Sequence, residues 1–438
     1  MSRTVDLHHH VIPDFYWEAS NEDGNAAGGI TPPRWSLEGA IAYLDEAQID
    51  VAVPSISTPG VHFGDDAAAR GLARRVNEYL ADIRRDRPDR FGPFATLPLP
   101  DVEGSLDEIA HAFDVLELDG VSMMTNAGGS YLGDDRFDPI FTELQRRAAV
   151  VFVHPSASPD PIAHTLGLPD ALLDYPADTS RAIAKLHYSN TFARTPDVKY
   201  VFAHAGGTIP FVASRFSIVD EMDVIPGAHE RGAFADVLPR LYWDTASAFS
   251  DPVLHMLRSV AGLGNVVFGS DYPYPRDAIS IGGLRQLQQS NELDDVERRG
   301  VLGESAARLI PRLARRAQFL SPVEHAHAIF AAFDAKDIAG LAAMMADDVR
   351  LQLGNADAVE GKSAFVEALQ AFFASVARFR HVVTSVWKDR EALIAELEVH
   401  YTRLDGKELT LPVCNVFRLR DGFVVDYRVY MDIDPVYA

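Results

Sequence analysis

The stretch TVDLHHHV (4–11) is the starting point for the fold of this chain. It is short, rich in apolar and β-branched residues and ends in histidines, so it predicts a buried strand with polar groups at its C-terminal end. Because residues i and i+2 of a strand share a face, His8 and His10 point one way and His9 the other.

Seven further runs of the same kind follow, separated by amphipathic helical patterns such as 37–48, 65–86 and 106–116. Alternation of strand and helix predicts parallel strands covered by helices, and eight such units favour a closed (β/α)8 barrel of the TIM type over an open sheet. A helix over 294–316 closes this part. The seven runs are VAVPSIS (51–57), FGPFATLPL (91–99), DGVSMMTN (119–126), VVFVHP (150–155), VKYVFAHAG (198–206), LYWDTA (241–246) and NVVFGSD (265–271).

The alternation stops near residue 319, which predicts two domains, 1–318 and 319–438. The second part begins with helical patterns and ends with strands, the order typical of a small α+β domain with an antiparallel sheet. The predicted helices are 323–334, 337–346 and 363–377, and the predicted strands are 380–388, 391–403, 408–420 and 422–432.

Polar residues stand at the ends of several predicted barrel strands. His154 ends the fifth strand, His204 the sixth and Asp271 the eighth, beside His8 and His10 of the first. Active sites of such barrels lie at this C-terminal face. Imidazoles with one carboxylate are the ligands of a zinc-like ion that keeps an open position. We therefore predict one divalent ion, held by His8, His10, His154 and Asp271, with zinc favoured and manganese the alternative.

Composition excludes several partners. The 438 residues carry a formal net charge of −23, which argues against binding to nucleic acid or to an anionic membrane surface. Cys414 is the single cysteine, so neither an internal disulfide nor a cysteine-based zinc site is expected. Without a signal-peptide pattern or a membrane-spanning apolar run, the chain is predicted to be soluble and cytoplasmic.

The HxH of the first strand, VHP (153–155), HAGG (204–207) and GSDYP (269–273) resemble the amidohydrolase superfamily. With STPGVHFGDDAAAR (57–70) and FATLPLPD (94–101), they resemble its metal-dependent decarboxylase branch, which includes the aminocarboxymuconate-semialdehyde and 6-methylsalicylate decarboxylases. The resemblance implies a mononuclear site, because the fourth strand has no lysine to bridge two metals. It also implies that His204 acts as an acid/base or electrostatic partner, with Asp271 both catalytic and a ligand.

The resemblance implies non-oxidative decarboxylation of a small aromatic or polyketide-derived carboxylic acid. The same ligands would also serve a hydrolase of a lactone, ester or amide, or remain in an inactive binding protein. One departure concerns the dihydroxybenzoate decarboxylases of the branch, which place a glutamate three residues after the sixth-strand histidine. Here that residue is Gly207, so a histidine–glutamate proton relay is not expected.

Aromatic and polar residues just beyond the strands are candidates for binding a planar substrate. They are Phe15, Trp17, His62, Phe63 and Tyr272. Arg215 is a candidate partner of the substrate carboxylate or a member of a structural ion pair. The C-terminal part resembles SnoaL-like cones, which implies an accessory or dimerisation domain and a homodimer.

Overall fold

The structure is a computed structural model that describes residues 3–20, 29–30, 33–158, 168–222, 225, 231–314, 322–389, 392–420 and 423–437. The chain divides into two units, Met1–Ala314 and Arg315–Ala438. The boundary predicted at 318/319 lies outside the described residues.

The first unit is the predicted (β/α)8 barrel. Strands β3 to β8 are hydrogen-bonded in chain order, and β1 pairs with β2; both ladders are parallel. The bridges Ala52–Phe91 and His9–Tyr272 close the ring between these two groups. The strands are β1 (Val5–His10), β2 (Val51–Ser55), β3 (Phe94–Thr96), β4 (Gly120–Met124), β5 (Val150–His154), β6 (Lys199–Phe202), β7 (Tyr242–Asp244) and β8 (Val266–Val267).

Each barrel strand is shorter than the run that predicts it, because its C-terminal end curves into a loop that carries polar groups. The strands themselves are almost entirely buried, as expected where helices cover the outside and side chains fill the inside. Phe152, Phe202 and Trp243 are among the largest fully buried side chains. The apolar runs therefore form the rigid frame from which the polar ends project.

Helices cover the barrel, and polar caps begin several of them. Ser36, Asp65 and Asp101 each accept a hydrogen bond from the backbone N–H three residues ahead, which satisfies an otherwise unpaired donor. The helices are Asp14–Ser20, Leu37–Ala47, Asp66–Asp86, Val102–Asp114, Asp138–Arg146, Asp170–Tyr188, Thr191–Arg194, Ile209–Met222, Phe234–Val237, Asp251–Val260, Asp277–Gln289, Asp295–Arg299 and Ser305–Leu309.

The helix predicted over 294–316 is only partly confirmed. Helical backbone runs from Asp295 to Leu309, where a π-helical turn at Gly300–Glu304 joins Asp295–Arg299 to Ser305–Leu309, and it ends at Ile310. A 3-10 turn follows at Pro311–Ala314, and residues 315–316 lie outside the described residues. An ideal Cβ on Gly303 would lie 1.8 Å from the carbonyl oxygen of Arg3, so the turn brings backbone against backbone at the start of β1.

The second unit is an α+β domain, but its sheet is not wholly antiparallel. The six strands have the order β10–β9–β14–β13–β12–β11, and β9 pairs parallel with β14. The predicted helix 337–346 ends at Ala343, and β9 follows. The strands are β9 (Met345–Leu353), β10 (Val359–Glu360), β11 (Val376–Asp389), β12 (Ala392–Arg403), β13 (Glu408–Arg420) and β14 (Phe423–Tyr430), and the helices are Pro322–Asp334, Ile338–Ala343, Lys362–Ser375 and Asp434–Tyr437.

Among the described residues, no helix combines the length and apolar character needed to cross a membrane.

Candidate metal centre and active-site cavity

The alternation of β1 directs its histidines as predicted. His8 and His10 are fully buried inside the barrel, where their Nε2 atoms lie 2.9 Å apart. His9 faces outward, where its Nδ1 hydrogen-bonds to Asp6 at 2.9 Å and its ring stacks on Tyr272. One strand thus supplies two groups to a central cluster and one to the outer packing.

The other strand ends bring a carboxylate and two more imidazoles to the same point. Asp271 Oδ1 is 3.2 Å from His8 Nε2 and 3.3 Å from His10 Nε2, and Asp271 Oδ2 is 3.5 Å from His204 Nε2. One ligand atom from each of His8, His154, His204 and Asp271 can be chosen so that all four lie within 4.8 Å of one another. The four predicted ligands and His204 therefore form a single cluster.

The opposite sides of three rings show which nitrogens face the centre. Nδ1 of His8 contacts Asp244 Oδ2 at 2.7 Å, Nδ1 of His154 contacts the carbonyl of Pro155 at 2.8 Å, and Nδ1 of His10 contacts the carbonyl of Ser55 at 3.3 Å. Carbonyl and carboxylate oxygens only accept, so each Nδ1 carries a proton, and each ring has a free Nε2 lone pair when it is in its neutral form. His8 and His10 in their neutral forms both turn an Nε2 lone pair towards the Asp271 carboxylate. Two imidazole nitrogens and a carboxylate oxygen are ligands that a divalent cation fits.

The electrostatics of the cluster also favour positive charge at its centre. Burial lowers the pKa of His10 to about 4 and holds that of His154 well below its usual range, so both rings are neutral. Burial alone would raise the pKa of Asp271, but His8 and the other histidines hold it well below its usual range. Burial also lowers the pKa of His8, yet Asp244 and Asp271 outweigh burial and raise this pKa to about 10. His8 therefore carries the positive charge of the cluster as a second proton on Nε2, and a cation that binds Nε2 displaces this proton.

The segment HAGG places His204 by an unusual backbone path. His204, Ala205, Gly206 and Gly207 all have positive φ, from 54° to 73°, and Asp244 Oδ1 accepts the backbone N–H of His204 at 2.8 Å. An ideal Cβ on Gly207 would lie 2.0 Å from the carbonyl oxygen of Pro176. This position therefore has no room for the glutamate of the dihydroxybenzoate-type pattern. Nδ1 of His204 is buried and has no hydrogen-bond partner among the described residues.

A cavity of about 560 Å³ opens onto the cluster at His154, His204 and Asp271. Its wall is mostly apolar with a few hydroxyl groups, as in sites for small planar molecules. No lysine or arginine is among the described lining residues. The remaining lining residues are Ile30, Ser57, Thr58, Ala171, Leu172, Tyr175, Pro176, Ala205, Gly207, Pro210, Phe211, Ser247, Ala248, Val253, Met256, Tyr274 and Pro275.

Comparison with known families identifies the barrel. A family profile described as amidohydrolase matches residues 5–312, and one described as a SnoaL-like domain matches residues 326–427. The chain belongs to the amidohydrolase family. The C-terminal part of this amidohydrolase is similar to SnoaL-like domains, as its sequence predicts.

Several relatives of this amidohydrolase are named decarboxylases. The 6-methylsalicylic acid decarboxylase acuB of Aspergillus aculeatus is 34% identical over 321 residues, which cover 71% of this chain and 97% of the relative. The decarboxylase yanB of Aspergillus niger is 32% identical over 323 residues, covering 70% of this chain and 87% of the relative. A crystal structure of a Polaromonas dihydroxybenzoic acid decarboxylase with bound manganese and 2-nitroresorcinol is 19% identical, with a TM-score of 0.60, over 71% of this chain and 97% of that one.

The six residues predicted to bind substrate do not line the cavity of this amidohydrolase. Phe15 packs against Tyr79, with the guanidinium of Arg75 4.0 Å from its ring centre. Trp17 packs partly buried against the barrel core. Proximity to the HxH strand in sequence therefore brings neither ring to the cluster, because both belong to a helix that packs against the barrel.

The other four predicted residues lie elsewhere for equally local reasons. His62 hydrogen-bonds to Asp66 at 2.8 Å, and Phe63 is 46% exposed. Arg215 is exposed on the helix Ile209–Met222. Tyr272 stacks between His9 and Tyr43 outside the barrel, whereas Tyr274, two residues later, lines the cavity.

Sequence reasoning missed Asp244, at the end of β7. Its fully buried carboxylate accepts hydrogen bonds from His8 Nδ1 and from the backbone N–H groups of His204 and Ala246. A buried carboxylate that ends an apolar strand was a visible signal, the same one that identified Asp271. Asp244 therefore lies on the side of His8 that faces away from the cluster centre, and it orients both His8 and His204.

Proposed function

We propose that this amidohydrolase is a metal-dependent decarboxylase of small aromatic carboxylic acids of the 6-methylsalicylic acid type. The observation that carries the proposal is the acceptor-rich cluster of imidazoles and carboxylate at the floor of an apolar cavity of about 560 Å³. The named decarboxylases that the barrel matches over nearly their whole length support the reaction class.

One divalent ion is proposed at the cluster, with His8, His10, His154 and Asp271 as ligands. When bound, such an ion supplies a positive charge and Lewis acidity to a substrate carboxylate or a neighbouring oxygen. Imidazole and carboxylate ligands suit zinc. The manganese in the Polaromonas decarboxylase supports the alternative. His204 is the alternative to His10, because His204 belongs with His8, His154 and Asp271 to a set whose ligand atoms lie within 4.8 Å of one another.

The chain's own residues define where the substrate ring lies. The apolar part of the cavity wall is formed by Leu172, Phe211, Val253 and Met256. Such a wall favours contact with the apolar faces of an aromatic ring. Since no cationic side chain is among the described lining residues, the cluster is the place for the carboxylate. The hydroxyl groups of Ser57 and Tyr274 provide hydrogen bonds to ring substituents.

Decarboxylation breaks the bond between the ring carbon and the carboxylate, and the carbon takes a proton as carbon dioxide leaves. We assign this proton transfer to His204 or Asp271, whose Nε2 and Oδ2 atoms lie 3.5 Å apart at the cavity. Both residues line the cavity, so either can present a proton to a ring carbon held beside the cluster. His204 is 14% exposed and faces the substrate space, which supports its role as the acid.

Incubation with 6-methylsalicylate should release carbon dioxide and form the ring-protonated phenol, measured by chromatography and gas analysis. His154→Ala should lose metal and activity together, because a ligand is gone. His204→Ala should retain most of its metal and lose turnover by roughly 10²–10⁴. His62→Ala, which alters a histidine outside the cluster, is the control.

Two results would count against this function. Hydrolysis of lactones, esters or amides, with no decarboxylation across a panel of aromatic acids, would favour the hydrolase alternative. A folded protein without stoichiometric metal and without turnover would favour a binding protein. If His204→Ala were metal-free while His154→Ala kept its ion, the two histidine roles would be exchanged.

We further propose a cytoplasmic homodimer with domains 1–318 and 319–438. The single cysteine supports a reducing compartment. Phe211, Ile218 and Met222 are exposed at spacings that share one helix face, and such apolar patches favour association. Light scattering of the full chain tests the dimer.

A further inference from the structure

The C-terminal unit contains a second cavity, of about 250 Å³. Its wall includes Phe333, Leu369, Phe372, Val399 and Tyr401. These side chains come from two helices and from strand β12. Among the described lining residues there is no lysine or arginine, and the single carboxylate, Asp357, is exposed. The described wall is therefore mostly apolar and has no permanently cationic side chain.

Asn415 breaks this apolar surface. It lies on β13, lines the cavity and is 1% exposed, and its Oδ1 has no hydrogen-bond partner among the described residues. Its neighbours across the ladder are Ala395 and Val429, which offer no side-chain donor. A buried amide oxygen without a partner destabilises a fold. An external hydrogen-bond donor at this position would relieve that cost.

His381 is a second acceptor in the same wall. Its Nδ1 donates to Asp334 Oδ1 at 2.6 Å, and its backbone N–H donates to the same carboxylate at 3.0 Å. The ring also stacks on Phe330, with centroids 4.9 Å apart. These contacts fix the ring and make Nδ1 the donor, so Nε2 is an acceptor whenever the ring is neutral.

We propose that this cavity binds a small neutral ring compound that carries a hydroxyl group, of the phenol class. A cavity of about 150 Å³ is enough for benzene, so about 250 Å³ accommodates a substituted ring. The hydroxyl group donates to Asn415 Oδ1, or to Nε2 of His381 where the ring carries a second one. An anionic ring compound is disfavoured, because His381, the described lining residue that can carry positive charge, is already paired with the Asp334 carboxylate. The anion would lose its hydration without gaining a cation.

This selectivity has a consequence for the whole chain, which rests on the proposed function. Decarboxylation converts an anionic hydroxybenzoate into a neutral phenol. The barrel cavity would hold the acid and the C-terminal cavity would accept only the product. The binding test below requires no turnover, so it can succeed or fail independently of the proposed reaction.

Two methionines act as separate reporters for the two cavities. Met431 lines the C-terminal cavity and Met256 the barrel cavity. The full chain, labelled with ¹³C-methyl methionine, is titrated with phenol, toluene and benzoate. We expect phenol to shift the Met431 signal saturably, at least fivefold more tightly than toluene, and benzoate to leave it unchanged. Asn415→Leu should abolish the preference for phenol over toluene.

His400→Ala is the matched control, because His400 lies exposed on the same sheet and bonds to Thr410; it should bind phenol like the unsubstituted chain. Should Asn415→Leu fail to fold, the comparison of phenol with toluene on the unsubstituted chain still tests the site. An unmoved Met431 signal, equal affinity for phenol and toluene, binding of benzoate, or a full phenol preference in Asn415→Leu would overturn the proposal.

Discussion

Replacing Asp244 by asparagine changes one atom of the side chain that holds His8 from behind. Asp244 Oδ2 accepts the Nδ1 proton of His8 at 2.7 Å, and Oδ1 accepts the backbone N–H groups of His204 and Ala246 at 2.8 and 2.9 Å. The amide oxygen keeps the two backbone bonds, but the amide nitrogen then faces Nδ1. His8 must therefore move its proton to Nε2, which converts a metal ligand into a donor.

The expected loss follows from this single ligand. Replacing a residue that orients a metal ligand typically costs 10–100-fold in metal affinity, which corresponds to about 1.4–2.7 kcal/mol. The metal-free protein should lose about 1–3 kcal/mol of unfolding free energy, because one buried hydrogen bond is mismatched. Competition with a chromogenic chelator measures the first quantity, and urea denaturation in EDTA measures the second.

Asp6→Asn is the matched control, since Asp6 is an equally buried carboxylate beside a histidine of the same strand. It accepts from His9 Nδ1 at 2.9 Å and from Ser270, but His9 faces away from the cluster. Asp6→Asn should destabilise the metal-free protein to a similar extent and leave metal affinity unchanged. Unchanged affinity in Asp244→Asn, or equal losses of affinity in both variants, would refute the tautomer argument.

Three further predictions concern other parts of the barrel unit. Gly207→Ala should destabilise the chain by more than about 3 kcal/mol, because the new Cβ would lie 2.0 Å from the Pro176 carbonyl; Gly262→Ala, with positive φ but nothing within 4 Å, should lose only about 1 kcal/mol in the same denaturation assay. Phe211→Ala should raise KM about 3- to 10-fold, because Phe211 lines the cavity, and Phe63→Ala should not; equal KM values for both variants would exclude the cavity as the binding site. Burial lowers the pKa of His187 to about 4 despite Asp220. The unfolded chain, with a histidine pKa near 6.5, therefore takes up a proton that the folded chain does not, and the unfolding free energy falls as the pH is lowered from 6.5 towards 4. His187→Gln should make this decline less steep between pH 7 and 5, and an unchanged slope would contradict the argument.

The eight barrel strands were predictable because each is a short apolar run with a polar end, and apolar runs of this length have few alternatives once helices separate them. The directions in which the side chains of the following loops point could not be predicted in this way. Tyr272 and Tyr274 both follow Asp271, yet the first stacks on His9 outside the barrel and the second lines the cavity. Strand β8 ends at Val267, and Asp271 has a positive φ of 62°, so no repeating rule assigns faces to the residues that follow it.

The strand β9 shows a different limit. Its residues MADDVRLQL continue directly from a helical pattern, and its first half carries two exposed acidic residues. Only its second half alternates, where Leu351 and Leu353 pair with Tyr427 and Val429 of β14. The pairing is parallel and spans more than 70 residues of sequence, so the partner that makes it a strand could not be found locally.

The proposed ligand set shows which further information is needed to predict the metal ligands from the sequence. Each imidazole that offers Nε2 to an ion requires an acceptor for its Nδ1 proton, and such acceptors fix which histidines can bind. For His10 and His154 they are the backbone carbonyls of Ser55 and Pro155, which any residue type provides. For His8 the acceptor is Asp244, whose other oxygen holds the backbone of His204. A single carboxylate therefore sets both the tautomer of a proposed ligand and the position of the proposed acid. A sequence search for metal sites should accordingly look for two kinds of buried carboxylate, one that binds the ion and one that accepts the Nδ1 proton of a histidine ligand.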